Sequence, residues 1–253
     1  MTQGKRGGGS KSGARGGAPN SKKAKGGSRH TGGMRGLTVR VKTSEGRTVG
    51  SQRWLQRQLN DPYVLRAKAE GFRSRAAFKL MELDDRFRFL SKGKRVVDLG
   101  AAPGGWTQIA VNRVKAGAPG GGVVIGIDIN EWEPVANATC MTLDFLDPGA
   151  PDALKQALGG KANVVLSDMA APTTGHGPTD HIRIMALAET AWMFAEEVLA
   201  PGGVFVCKVF QGGTEAGLLK QIKARCGAVR HAKPPASRKE SAEVYVVGFD
   251  FKG

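Results

Sequence analysis

Short apolar runs alternate with longer amphipathic stretches along the chain after residue 94. The runs are rich in Val and Ile, which is typical of strands that are buried on both faces of a sheet. They lie at 95–99, 123–129, 138–143, 162–167, 204–210 and 244–251. Helical spacing marks the stretches at 106–115, 153–158, 180–199 and 214–225. This alternation predicts an α/β fold, with a mainly parallel sheet and helices on both faces.

A helical region at 51–93 precedes the alternating core at 94–253. Asp61 and Pro62 are a typical N-cap and first helical residue, and they predict a helix over the next eight residues. Ser74 predicts the N-cap of a second helix, because apolar residues follow it at near-helical spacing. We therefore expect 51–93 and 94–253 to form one domain together.

The net charge of +16 is concentrated near the N-terminus. Residues 1–50 hold twelve Lys and Arg against the single acid Glu45, with fourteen Gly and no aromatic residue, so we expect them to be disordered. Such a tail is typical of an arm that binds RNA phosphates, or of a solubilising extension without a specific role. Arg73, Arg75 and Lys79 continue the basic character, as a solvated helix face or as a basic lip beside an RNA site.

Several classes of protein are disfavoured by composition. The sequence contains no run of about 18 apolar residues, so no membrane span is expected. The basic N-terminus is not followed by the apolar stretch of a secretory signal. Cys140, Cys207 and Cys226 lack the CxxC spacing, and only four His accompany them, so we expect neither a disulfide framework nor a metal site. These observations predict a cytoplasmic protein, which we expect to be monomeric.

A glycine-rich turn follows the first apolar run and reads Asp-Leu-Gly-Ala-Ala-Pro-Gly-Gly-Trp at 98–106. Such a turn lets a ligand approach the backbone, but its spacing fits neither the dinucleotide motif nor a P-loop. Asp128 and Asp144 end or follow the next two runs, at the sheet edge where ribose hydroxyls are bound. Each acid alone is typical of a loop or a cap. Together with the turn they favour a nucleoside without phosphates, such as S-adenosylmethionine.

Lys208 interrupts the apolar run at 204–210, and Asp168 directly follows the run at 162–167. A lysine in a buried strand is costly unless it is paired. One interpretation is a structural ion pair at the strand end. The other is that Lys208 faces a substrate beside Asp168 and removes the proton of a ribose hydroxyl during methyl transfer. Burial favours the neutral lysine that this step needs, whereas a carboxylate partner opposes it.

Five motifs occur in one order along the chain: Arg-Ser-Arg-Ala-Ala-Phe-Lys-Leu at 73–80, the glycine-rich turn at 98–106, Ser-Asp-Met-Ala at 167–170, Lys-Val-Phe-Gln-Gly at 208–212 and Glu-Val-Tyr at 243–245. With them, residues 51–251 resemble the FtsJ-like ribosomal RNA ribose 2′-O-methyltransferases, and most of all bacterial members that methylate a uridine ribose in 23S ribosomal RNA. The resemblance implies a Rossmann-like, S-adenosylmethionine-dependent methyltransferase fold. It also implies ribosomal RNA, or the large ribosomal subunit, as the partner.

The resemblance further implies which residues form the site. The Lys-Asp-Lys-Glu catalytic tetrad of the family corresponds to Lys79, Asp168, Lys208 and Glu243. The contacts to S-adenosylmethionine correspond to Gly104, Trp106, Asp128, Asp144 and Asp168. Glu240 is a rival for the last tetrad position, but its neighbours match the motif less well. The loop at 171–179 departs from the bacterial pattern, which bears on how the nucleotide is positioned.

Other functions are compatible with these motifs. Ribose methyltransferases that act on transfer RNA or on the messenger RNA cap share the tetrad, so the motifs do not separate these substrates. The helical region at 51–93 shows no aromatic cage for a methylated cap base, which disfavours the cap. A non-catalytic RNA-binding or ribosome-assembly factor could use the same fold. Such a factor is expected to lack a tetrad residue, and all four residue types are present.

Overall fold

A seven-stranded sheet runs through the part of the chain that the computed structural model describes, residues 49–172, 174–211 and 216–253. Its strands are β1 (Arg95–Leu99), β2 (Val123–Asp128), β3 (Thr139–Thr142), β4 (Ala162–Ser167), β5 (Leu199–Phe210), β6 (Cys226–Ala232) and β7 (Glu243–Phe251). They lie in the order β3-β2-β1-β4-β5-β7-β6. Strands β1 to β5 pair in parallel, whereas β7 is antiparallel to both β5 and β6. The prediction of a mainly parallel sheet is confirmed.

Helices cover both faces of this sheet. They are α1 (Val49–Leu59), α2 (Pro62–Ala69), α3 (Ala76–Phe87), α4 (Gly105–Val114), α5 (Ala150–Leu158), α6 (Gly177–Val198) and α7 (Ala216–Arg225). On one face, Leu80 of α3 and Ile109 of α4 share an apolar cluster with Val206 of β5. On the other face, α5, α6 and α7 form a second cluster, in which the Trp192 ring lies 5.1 Å from the Phe205 ring. Because helices bury the sheet on both faces, its central strands are continuous apolar runs.

The helical region before the sheet agrees with the sequence at one cap and differs at the other. The Asp61 side chain accepts a hydrogen bond from the amide of Tyr63 and caps α2, as predicted. The prediction that Ser74 caps α3 is wrong. Arg75 occupies the N-cap position without a side-chain cap, and the buried Ser74 hydroxyl has no hydrogen-bond partner among the described residues. The tail predicted at 1–50 lies outside the described residues, apart from two positions at the start of α1.

The topology brings the chemically interesting residues to one edge of the sheet. Strand order reverses at β1, because β2 and β3 lie on one side of it and β4 and β5 on the other. Ligands of such sheets bind beyond the carboxyl ends of the strands at this reversal. Because β7 is antiparallel, its first residue reaches the same edge, where Glu243 pairs with Phe210 and Tyr245 with Lys208. The glycine-rich turn after β1 lies at this edge too.

Candidate active site

Lys208 and Asp168 form a buried ion pair at the ends of two neighbouring strands. Parallel pairing of Ser167 with Cys207 places the two following residues side by side. The Nζ atom of Lys208 lies 3.2 Å from Oδ1 of Asp168, and it donates a 2.7 Å hydrogen bond to the backbone oxygen of the same residue. Only 6% of Lys208 is exposed. Removing either partner of such a pair leaves an uncompensated charge, so each fixes the other.

Lys79 and Glu243 form a second ion pair beside the first. Nζ of Lys79 lies 2.8 Å from Oε1 and 2.9 Å from Oε2 of Glu243. Ser237 donates a further 2.7 Å hydrogen bond to Oε1. The rival Glu240 is exposed on the loop before β7. The structure therefore brings Glu243, the glutamate favoured by the sequence, to Lys79.

Tyr245 joins the two ion pairs. Its hydroxyl donates a 2.8 Å hydrogen bond to Oδ1 of Asp168 and lies 3.3 Å from Oε1 of Glu243. Burial, with the charges of Asp168 and Glu243, raises the pKa of Tyr245 well above its usual range, so the hydroxyl keeps its proton. Burial also acts to raise the pKa of Asp168. The cations of Lys208 and Lys79 and the hydrogen bond from Tyr245 outweigh it, and the pKa of Asp168 is lowered.

The sequence motif at 243–245 indicates part of the arrangement around Tyr245, although the sequence analysis gives this residue no role. Residues two apart on a strand point to the same face, so the motif Glu-Val-Tyr at 243–245 already places both polar side chains on one side of β7. The motif does not indicate which residue at the end of another strand accepts the hydrogen bond of the Tyr245 hydroxyl. That residue is Asp168, 77 positions away in the chain.

The glycine-rich turn shapes a cleft next to these ion pairs. Gly100 has a φ of 79°, and a Cβ there would lie 2.8 Å from the Cα of Met169. Only glycine fits both this conformation and this close approach. A cavity of about 410 Å³ opens at the turn, and Gly100, Asp128, Asp144 and Met169 are among its lining residues. Since Met169 follows Asp168 directly, the cavity and the ion pairs are adjacent.

The residues assigned to the cofactor divide into two groups. Asp128 and Asp144 line the cavity. Asp128 accepts hydrogen bonds from the amides of Ala102 and Asn130, at 3.0 and 2.8 Å, and thereby holds the glycine-rich turn. Gly104 and Trp106, at the start of α4, lie outside the lining, and so does Asp168, which directly precedes the lining residue Met169.

Trp106 is held by protein groups. Its indole is buried, lies 5.6 Å from the ring of Tyr245 in a tilted arrangement and donates a 2.8 Å hydrogen bond to the backbone oxygen of Ala76. Neither residue therefore offers a free side chain to a ligand, and the Gly104 amide donates a 2.7 Å hydrogen bond to the backbone oxygen of Ala101. The first amides of α4 have no acceptor four residues earlier within the helix.

A buried carboxyl group that the sequence did not single out lies beneath the turn. Asp98 in β1 has no exposed surface; its Oδ2 accepts a 2.7 Å hydrogen bond from Thr107, and its Oδ1 has no partner among the described residues. Burial raises the pKa of Asp98 to about 7. The hydrogen bond from Thr107 opposes this shift, and the charges of Asp168 and Asp128 add to it.

The three cations of the basic lip predicted around α3 are each bound to other groups of the protein. Arg75 binds the carboxylate of Asp61, Arg73 donates to backbone carbonyls, and Lys79 binds Glu243. A purely solvated helix face is therefore wrong for these three side chains. Their hydrogen bonds are made with the protein itself.

In residues 49–172, 174–211 and 216–253, no group of three or more His, Cys, Asp or Glu is placed to hold a metal ion. Within the same ranges, no helix combines the length and the apolar character needed to cross a bilayer. Cys140, Cys207 and Cys226 are free thiols.

Comparison with known proteins gives the family. The family model for FtsJ-like methyltransferases matches residues 72–251. Relatives named Ribosomal RNA large subunit methyltransferase E are similar to this chain. That of Rhodospirillum rubrum is 66% identical over 87% of this chain and 84% of its own length. That of Paramagnetospirillum magneticum is 63% identical over 90% of this chain and 93% of its own length. A solved structure from Plasmodium falciparum, described as a ribosomal RNA methyltransferase, covers 72% of this chain and 100% of its own with 30% identity and a TM-score of 0.64. The Rossmann-like methyltransferase fold is thus confirmed, and the chain belongs to the FtsJ-like methyltransferase family.

Proposed function

We propose that this protein transfers the methyl group of S-adenosylmethionine to the ribose 2′-hydroxyl of a uridine in 23S ribosomal RNA, within the assembled large subunit. The observation that carries this proposal is the pair of ion pairs, Lys208 with Asp168 and Lys79 with Glu243, joined by Tyr245. Support for the RNA comes from the relatives, whose names specify large-subunit ribosomal RNA. The net charge of +16 suits a phosphate-rich partner.

The cleft fits the cofactor through both its shape and its polar groups. Gly100 lets Met169 pack directly against the turn, and both residues line the cavity of about 410 Å³. Asp128 and Asp144 place carboxylates where hydroxyl and amino groups of a nucleoside can donate to them. Gly104 and Trp106 would contribute backbone groups at the start of α4. When bound, S-adenosylmethionine supplies a methyl group that is already activated by a positively charged sulfur.

The side chains have to orient the ribose and handle one proton. In its neutral form Lys208 would accept the proton of the 2′-hydroxyl while the oxygen gains the methyl group and S-adenosylhomocysteine leaves. In its charged form Lys208 would only polarise the hydroxyl, whose proton would pass to water. Asp168 holds the Lys208 ammonium through its carboxylate and its backbone oxygen and borders the cofactor through Met169. Lys79 on α3 and Glu243 at the start of β7 would align the nucleotide. No metal ion is required for this chemistry.

Substitution of Lys208 tests the proposal. We expect Lys208→Ala to lower the rate of methyl transfer to large subunits by about 10²- to 10⁴-fold, the usual contribution of a general acid or base. Binding of S-adenosylhomocysteine, measured by calorimetry, should remain close to that of the unmodified protein. Lys220→Ala is the matched control, because Lys220 is exposed on α7. Retained turnover in Lys208→Ala would overturn the assignment.

A second experiment identifies the RNA. Tritium transfer from labelled S-adenosylmethionine is compared for naked 23S ribosomal RNA, isolated large subunits and transfer RNA. We expect large subunits to be the best substrate. Preference for transfer RNA would replace the proposed substrate with that alternative. Absence of cofactor binding would instead favour the non-catalytic RNA-binding factor.

A further inference from the structure

Arg73 connects two loops that border the cofactor cleft. It lies between α2 and α3, and its guanidinium donates hydrogen bonds to Pro103 in the glycine-rich turn at 3.2 Å and to Pro134 in the β2–β3 loop at 2.7 Å. The same group donates to the backbone oxygen of Glu133. Three carbonyl groups from two separate loops thus accept hydrogen bonds from one side chain.

Gly104 provides the space in which this contact is made. A Cβ on Gly104 would lie 2.9 Å from Nη1 of Arg73 and 2.9 Å from Cγ2 of Val135, which belongs to the β2–β3 loop. Arg73 and Val135 therefore both pack directly on the backbone of a residue that we assign to the cofactor. Displacing Arg73 would loosen the turn and the loop together.

The segment that carries Arg73 is also attached to α4. The amide of Arg73 donates a 2.9 Å hydrogen bond to Oε1 of Gln108, and Nε2 of Gln108 donates to Gly71 at 3.1 Å. The Trp106 indole donates to Ala76 on the other side of Arg73. The helix whose N-terminus adjoins the cleft thus fixes the backbone on both sides of Arg73.

We propose that Arg73 is a positioning residue for cofactor binding and not a contact to RNA phosphates. The guanidinium presents several donors in one plane, which suits carbonyl groups at fixed angles, whereas a lysine ammonium is a point charge on a flexible stem. The β2–β3 loop begins with Ile129 and Asn130, which line the cavity. Without Arg73, these residues and the turn would have to be ordered by the ligand itself, which weakens binding. The inference rests on the proposed function, because it assumes that the cleft binds S-adenosylmethionine.

Calorimetry with S-adenosylhomocysteine tests this inference without any RNA. We expect Arg73→Ala to bind it at least tenfold more weakly than the unmodified protein does, and Arg73→Lys to recover less than half of that loss on a logarithmic scale. The charge-matched control is Lys68→Ala, which removes an exposed cation from α2 and should bind S-adenosylhomocysteine normally. Thermal melts establish whether each variant is folded. If Arg73→Ala does not fold, the S-adenosylhomocysteine affinity of Arg73→Lys tests the inference.

RNA affinity distinguishes a positioning role of Arg73 from a contact to RNA phosphates. Filter binding of 23S ribosomal RNA should weaken no more in the Arg73 variants than in Lys68→Ala. Normal S-adenosylhomocysteine binding combined with weakened RNA binding would overturn the inference and make Arg73 a phosphate contact. If the unmodified protein itself fails to bind S-adenosylhomocysteine, the proposed function fails instead, so the two failures are distinguishable.

Discussion

Asp98 gives a stability prediction whose size follows from the structure. Its carboxyl group is fully buried in β1, and burial raises its pKa from 3.8 to about 7. Between these two values the folded protein keeps a proton that the unfolded chain has released. Stability should therefore fall as the pH rises through this interval. At 1.36 kcal/mol per pKa unit, the ionised carboxyl group costs about 4 kcal/mol as an upper limit.

Asp98→Asn removes this pH-dependent cost while keeping an oxygen for the hydrogen bond from Thr107. We expect the free energy of urea unfolding of Asp98→Asn, relative to the unmodified protein, to rise by about 2–3 kcal/mol between pH ~5 and pH ~8. The substitution also leaves an amide unpaired, which lowers the free energy of unfolding by about 1–3 kcal/mol. This penalty is the same at both pH values and does not change the difference between them. Asp85→Asn is the control, because solvent reaches 53% of that side chain and no such gap should appear. A gap that is constant, or that shrinks with rising pH, would refute the reasoning.

Three further predictions concern the site. Tyr245→Phe should lower the single-turnover rate about tenfold with little change in cofactor affinity, because it removes only the hydroxyl that contacts Asp168 and Glu243; an unchanged rate would remove Tyr245 from the site. Glu243→Gln should impair methyl transfer in the same assay, whereas Glu240→Gln in the exposed loop should not. Gly100→Ala should weaken S-adenosylhomocysteine binding at least tenfold in calorimetry, because its Cβ would overlap the backbone after β4. Normal affinity would show that the turn does not meet the cofactor.

The sheet was largely predictable, because buried parallel strands are continuous apolar runs. The bounds of β1 and β4 agree with the runs at 95–99 and 162–167. In contrast, β6 (Cys226–Ala232) was missed. Within the described sheet it lies at the edge beside β7, and Gly, Arg and His interrupt its apolar residues. A strand of this kind is specified by its partner more than by its own pattern.

The site was predictable as a set of residues but not as a set of contacts. The strand ends and the resemblance together named Lys79, Asp168, Lys208 and Glu243. Sequence position did not reveal that Tyr245 links both ion pairs, since its two carboxylate partners come from different strands. The same holds for Arg73 and Ser74, because their surroundings come from segments about 30 to 60 positions further along the chain.

The central claim is that the methyl group goes to a ribose oxygen of large-subunit RNA. Its most direct test is nucleoside mass spectrometry after incubating the protein with isotopically labelled S-adenosylmethionine and large subunits that lack the modification. We predict that the label appears in one uridine, and that fragmentation leaves it on the ribose. We also predict that Lys208→Ala gives none. Label on the base, or equal labelling by Lys208→Ala, would contradict the account.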